Sequence, residues 1–160
     1  MPSDPTIREA GPEDMDRLDT ALAALAADLG DAYRPQAAAL AAACDGGLVR
    51  ALLADRSGQL AGAVLFCPVY STIRASCGAF VSDLWVAAPM RGTGLGRRLL
   101  AQTARIAARR WNARFVKLSV YHHTADAAAF YDRLGFDFPD RERNAILEGA
   151  SLHALTGDLA

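Results

Sequence analysis

The run Arg91-Gly92-Thr93-Gly94-Leu95-Gly96-Arg97 carries the densest chemistry in the chain. Its three glycines alternate with Thr93 and Leu95, so a loop here brings backbone N–H groups against a ligand with no side chain in the way. If a helix follows, those amides lie at its positive end and form an anion site. Two commoner phosphate loops are excluded. A dinucleotide fingerprint needs a glycine three residues after Gly94, where Arg97 stands, and a nucleoside-triphosphatase loop needs Gly-Lys-Ser/Thr, whereas the only lysine is Lys117. A plain strand-to-helix turn is the remaining alternative.

The other reactive residue types say less. Cys44, Cys67 and Cys77 are odd in number and include no CxxC pair, which reads as reduced packing thiols. His122 and His123 are adjacent, so in extended backbone their rings point apart and no joint metal site is expected. One of them could face a substrate. Net charge is only -1, yet every charged side chain between Asp83 and Asp126 is positive. Arg105, Arg109 and Arg110 read as a solvated helix face, whereas Arg91, Arg97 and Arg98 flank the glycine loop, where a ligand with several phosphates would use them. Nucleic acid is not expected, because the chain as a whole is slightly acidic and has no aromatic-rich binding motif.

These residues need elements to hold them. With 160 residues, 52% of them hydrophobic, the chain suits one domain over 1–160 with its own core. The opening residues have neither a basic start nor an apolar run, and no later stretch is apolar enough to span a bilayer, so no membrane and a cytoplasmic location are expected. Thr6 to Ala10 reads as a strand. Pro12 opens a helix with Met15, Leu18, Leu22, Leu25 and Leu29 on one face, ended by Gly30. A loop from Asp31 to Arg34 leads to an alanine-rich helix from Pro35 to Cys44. Val49–Ala54 and Gln59–Val69 predict a hairpin, and Cys77–Ala87 a strand feeding the glycine loop. The next helix buries Leu99, Thr103, Ile106 and Ala107. A strand from Phe115 to Tyr121, a helix from Ala125 to Leu134 closed by Gly135, a strand from Asn144 to Glu148 and a short helix to Leu155 complete the chain. This order predicts an α/β sheet, antiparallel at one end, in which the strands around Trp85 and Val120 are parallel neighbours with ligand at their carboxyl ends.

The segment Arg91-x-x-Gly94-x-Gly96, after a strand ending Leu84-Trp85-Val86, resembles the acyl-CoA pyrophosphate loop of GNAT N-acetyltransferases. Downstream, Ala127-Ala128-Ala129-Phe130-Tyr131-x-x-Leu134-Gly135-Phe136 resembles the second signature of that family. The resemblance is close from Val81 to Phe136 and covers the flanks only in pattern. It implies the GNAT (acyl-CoA N-acyltransferase) fold, with a mixed central sheet of about six to seven strands flanked by about four helices. It further implies transfer of an acetyl group from acetyl-CoA to a primary amine by direct attack.

That reaction sets requirements. An ammonium with an ordinary pKa of about 10.4 is protonated at neutral pH and must lose a proton before it attacks. Family members commonly use an acid on the strand before the loop, which implies Asp83 as base, directly or through water. Others place the base one residue earlier, where this chain has Ser82, and His122 or His123 competes for the role. Tyr131 matches the tyrosine that protonates the leaving thiolate. By the same resemblance, the amide near Val86 receives the acyl oxygen, Leu84 and Val86 pair with the pantetheine arm, and the amides of Leu95, Gly96 and Arg97 hold the pyrophosphate. Trp85, Arg91, Gly92, Thr93, Gly94, Ala127 and Phe130 complete the cofactor set. Thr124 stands where the family often has asparagine; it either replaces that contact or caps the helix. Asp31, Tyr33, Asp83 and His122 are the candidate acceptor contacts, with Arg34 of the same loop as Asp31 and Tyr33. A small-molecule amine is the expected partner. Acetylation of a protein N-terminus or lysine, a non-catalytic acyl-CoA sensor, and a homodimer remain open.

Overall fold

A computed structural model describes residues 4–157. By its internal contacts the chain divides into two compact units, one ending at Ala125 and the other beginning at Asp126.

The first unit is built on a five-stranded sheet in the order β1 (Thr6–Glu9), β2 (Arg50–Arg56), β3 (Gln59–Ser71), β4 (Ser76–Val86) and β5 (Val116–Leu118). The first four strands are antiparallel neighbours, and β5 joins β4 in parallel. The parallel pair therefore needs a crossover, which is the helix α3 (Leu95–Trp111). On one face lie α1 (Met15–Leu29) and α2 (Ala37–Asp45). Met15, Leu18 and Leu22 of α1 and Leu40 of α2 bury themselves against Leu53 of β2 and Leu65 of β3. Leu25 and Leu29, the rest of the expected stripe, are half-buried. On the other face α3 packs over β3 and β4. Its predicted face, Leu99, Thr103, Ile106 and Ala107, is buried. The fit is tight at Gly62 of β3, where a Cβ would come within 2.9 Å of Leu99 Cδ1 and 3.0 Å of the Trp85 carbonyl oxygen.

Parallel pairing is short. Ala79, Phe80 and Val81 lie opposite Val116, Lys117 and Leu118, after which β4 continues to Val86 paired with β3 but not with β5. The strand expected from Phe115 to Tyr121 is thus only three residues long. Its remainder enters a turn in which both the amide and the hydroxyl of Thr124 donate to the Tyr121 carbonyl, at 3.1 and 2.7 Å.

The second unit carries α4, whose range is Ala125–Arg133, and α5 (Gly149–Thr156). Gly135, at φ +89°, ends α4, and the amides of Leu134 and Phe136 both donate to the Tyr131 carbonyl. The strand expected over Asn144 to Glu148 is not formed, and the five residues are exposed. Its only large apolar side chains, Ile146 and Leu147, are adjacent. In a strand they would point to opposite faces, so neither face would bury enough to justify pairing. Among the described residues the sheet therefore has five strands rather than six to seven, and there are five helices rather than four. No helix of the described residues is long and apolar enough to cross a membrane.

Candidate active site

The site is organised by one irregularity in β4. Leu65 of β3 lies opposite Asp83, but Phe66 lies opposite Val81, so Ser82 is an extra residue in the ladder, a β-bulge. Its hydroxyl donates to the Leu65 carbonyl at 3.3 Å. Directly opposed residues share a face. Val81 follows Phe66, which packs edge-on against Trp111 of α3, while Asp83 follows Leu65 to the α1–α2 face. Trp85, two residues on, packs its side chain into that same cluster. Burial raises the Asp83 pKa above the ordinary carboxylate value, with the Ser82 hydroxyl pulling the other way.

Past the bulge the main chain is also aimed. The Ala87 amide donates to the Ala61 carbonyl at 2.9 Å, and Val86 is registered against Gly62. Because antiparallel pairs alternate, Leu84 and Val86 direct their peptide groups away from β3. On that side β5 has already ended at Leu118. An extended ligand can lie there against β4.

The glycine loop follows. Gly92 and Gly94 adopt φ +77° and +85°, and a Cβ on either would meet nothing within 4 Å. They are glycine for backbone conformation, and the space over the loop is open. The first α-helical bond of α3 runs from the Arg98 amide to the Gly94 carbonyl at 3.1 Å, which leaves Leu95, Gly96 and Arg97 as first-turn donors. Leu95 anchors this turn with a buried side chain. The Thr93 hydroxyl donates to the Met90 carbonyl at 2.7 Å. Arg97 is exposed, and Arg98 donates to the Pro5 carbonyl at 2.7 Å. Arg91 turns aside from the loop. Its Nε donates to the Val86 carbonyl at 3.0 Å and its terminal nitrogen pairs with Asp28 at 2.5 Å. These open amides and the turned-out edge of β4 fit the diphosphate and pantetheine arm that coenzyme A would bring.

Two tyrosines border Asp83 electrostatically. Tyr33 donates to Asp19 at 2.7 Å and its pKa is pushed up to about 12, by burial first and Asp19 second. Tyr121 donates to Asp31 at 2.8 Å, which raises its pKa, and it stacks on His123 with ring centroids 5.4 Å apart. The negative charge of Asp83 contributes to both shifts. Asp83 thus acts electrostatically on Tyr33 and Tyr121, and the bonds of these two tyrosines bring in Asp19 and Asp31; of the four, sequence reasoning missed Asp19 and Tyr121. His122 is exposed. Thr124 spends its hydroxyl on the turn at Tyr121.

In the second unit, α4 carries Ala127, Phe130 and Tyr131. Tyr131 is buried, edge-to-face with Phe130 at 5.0 Å and with Phe136 at 5.4 Å. Burial pushes its pKa up to about 12. Among the described residues no group of three or more His, Cys, Asp or Glu could hold a metal ion. A separate cavity of about 160 Å³, lined by Gly11, Met15, Cys44 and Arg50 among others, includes none of the candidate residues.

The model of the acetyltransferase (GNAT) family matches residues 18–136. Several solved structures share the fold at low identity. An integron cassette protein from the mobile metagenome of V. cholerae is 18% identical with a TM-score of 0.77, over 97% of this chain and 99% of that one. A ribosomal-protein-alanine N-acetyltransferase from Brucella melitensis biovar Abortus 2308 is 20% identical with a TM-score of 0.75, over 91% and 100%. An aminoglycoside acetyltransferase from an uncultured soil metagenomic sample is 18% identical with a TM-score of 0.76, over 91% and 100%.

Proposed function

Since the chain belongs to the GNAT acetyltransferase family, and is therefore an acyl-transfer enzyme, we propose that it moves an acetyl group from acetyl-CoA to the primary amine of a small molecule by direct attack. The family match crosses the boundary between the two units, which supports treating 1–160 as one catalytic domain. The observation that carries the reading is the placement of two sets of main-chain groups at one end of the sheet. Leu84 and Val86 turn outward beyond the end of β5, and the amides of Leu95, Gly96 and Arg97 begin α3.

Acetyl-CoA supplies the electrophile, an acyl thioester. The residues do the rest. The first-turn amides of α3 hold the diphosphate, as helix N-termini hold anions, and the peptide groups of Leu84 and Val86 align the pantetheine arm. The Val86 amide faces the acyl oxygen, where a fixed donor matters most as negative charge develops. Asp83, ionised, takes the ammonium proton directly or through water. Tyr131 receives its role from its place in the Phe130–Phe136 segment. A phenol at about 12 lies roughly 3–4 pKa units above an ordinary thiol, so full transfer to a thiolate is uphill by about 5 kcal/mol. Tyr131 therefore donates a hydrogen bond to the departing sulfur and stays neutral.

A small acceptor is the reading we favour because the Tyr121–Asp31 bond ties the α1–α2 loop to the turn that follows β5. The test is calorimetric titration with acetyl-CoA, followed by CoA release with a panel of amines and peptides. Failure to bind acetyl-CoA overturns the proposal, and turnover only with peptides replaces the small-molecule acceptor.

A further inference from the structure

The Arg91 guanidinium is held from two directions. Its Nε donates to the Val86 carbonyl at 3.0 Å, and a terminal nitrogen meets Asp28 at 2.5 Å. The Val86 carbonyl needs such a donor. It points away from β3 beyond the place where β5 has ended, and a main-chain acceptor with no strand beside it must be satisfied from elsewhere. A planar guanidinium presents its donors as a rigid fork, so fixing one arm fixes the other. Asp28 therefore sets the direction from which Arg91 approaches Val86. Three elements meet in this one side chain: the last turn of α1, the end of β4 and the loop that opens α3.

Stability does not account for Asp28. The side chains of Arg91 and Asp28 are 52% and 43% exposed, and ion pairs this open contribute little to folding. A carboxylate in the last turn of a helix also opposes the helix dipole, and α1 has no basic residue there to offset it. Nor does attraction of an anionic cofactor account for it, since Asp28 takes up a positive charge beside the glycine loop. What the pair supplies is geometry.

Resting on the acetyl-transfer reading, we infer that Asp28 is a positioning residue for the donor: it holds Arg91 on the Val86 carbonyl and so fixes the main chain that receives the acyl end of acetyl-CoA, together with the start of the loop that receives its diphosphate. Arg91 acts here as a bridge and not as a phosphate contact.

The sign of one measurement separates positioning from charge. Asp28→Ala frees Arg91 and removes a negative charge, so charge alone predicts tighter binding of the anionic acetyl-CoA. Positioning predicts weaker binding, with the dissociation constant raised about threefold to fivefold in calorimetry of the full chain and Asp28→Glu restoring part of the loss. Arg91→Lys keeps the charge but not the fork. Its binding should be weakened at least as much, and adding Asp28→Ala to it should change little more, because the two residues act as one unit. Alanine is a good helix former at an exposed site, so Asp28→Ala is expected to fold. Tighter or unchanged binding in Asp28→Ala, or wild-type binding in Arg91→Lys, overturns the inference.

A second readout needs no cofactor. Hydrogen exchange at the Arg91 Nε–H, followed by nuclear magnetic resonance of the free protein, should be faster in Asp28→Ala and close to the wild-type rate in Asp28→Glu. Faster exchange in Asp28→Ala, in a chain that binds no acetyl-CoA, upholds the hold of Asp28 on Arg91 and removes the proposed function. Acetyl transfer by a chain in which neither this exchange nor acetyl-CoA binding responds to Asp28→Ala does the reverse.

Discussion

Leu65 faces Asp83 across the β3–β4 ladder, and Ser82 has no opposite number. A single inserted residue thus moves Asp83 from the face of Val81 to that of Trp85. The carboxylate is turned to the α1–α2 face of the sheet, and burial there lifts its pKa.

If Asp83 is the base, kcat/KM rises with pH through an apparent pKa above the ordinary carboxylate value of about 3.9. Asp83→Asn removes that rise and lowers kcat/KM by about 10²-fold or more. Stability runs the other way. A folded-state pKa above the unfolded one gives stability that is full below the unfolded pKa and lost as pH rises through the folded pKa. At pH 7 the asparagine variant should therefore be at least as stable as the wild type in urea. Wild-type turnover by Asp83→Asn would pass the role to water or a histidine.

Tyr131→Phe should lower turnover several-fold while acetyl-CoA affinity stays within about twofold. With the phenol held near 12, the wild-type profile should show no falling limb from its ionisation below about pH 10. Unchanged turnover in the variant removes Tyr131 from the chemistry.

Gly96→Glu puts a negative charge in the first turn of α3, where the diphosphate is proposed to sit. Calorimetry should find acetyl-CoA binding abolished while far-ultraviolet circular dichroism stays that of the wild type. Gly94→Ala acts differently, forcing a side chain to φ +85° at a strain of about 1–2 kcal/mol, and should weaken binding without ending it.

Asp14 accepts both terminal nitrogens of Arg8, at 2.6 and 2.7 Å, and the Gly11 amide at 2.8 Å. The Arg8 hydrogen bond, against an opposing cost of burial, holds its pKa down at about 2. A depressed folded-state pKa gives stability present above the unfolded value, near 4, and lost as pH falls toward 2. Asp14→Asn should cost about 2 kcal/mol at pH 7 and much less at pH 2, as measured by urea midpoints.

Much of this was legible in residue order. Glycine spacing located the turn before α3, and strand, helix, strand required a parallel β4–β5 pair, because an antiparallel neighbour needs no crossover. The stripe of Leu99, Thr103 and Ile106 gave the buried face of α3. What stayed hidden is what periodicity does not encode. The bulge lies within a run whose burial gives no sign of a lost phase. Arg91 meets Asp28 from 63 residues away and Tyr121 meets Asp31 from 90, with no local pattern linking either pair. Asn144 to Glu148 reads as a strand, but its two large apolar residues, Ile146 and Leu147, are adjacent, and adjacent side chains of a strand cannot share one face.

Gly62 has a bearing on how this enzyme can diverge. Any larger residue there would wedge against Leu99 and the Trp85 carbonyl, lifting the rod whose first turn is proposed to grip the diphosphate. That contact ties β3 to α3 and to the end of β4, so on the proposed reading position 62 holds the cofactor end, whereas the α1–α2 loop, where the acceptor is proposed to bind, carries no such constraint. The proposed donor side thus inherits its close fit from a missing methyl group.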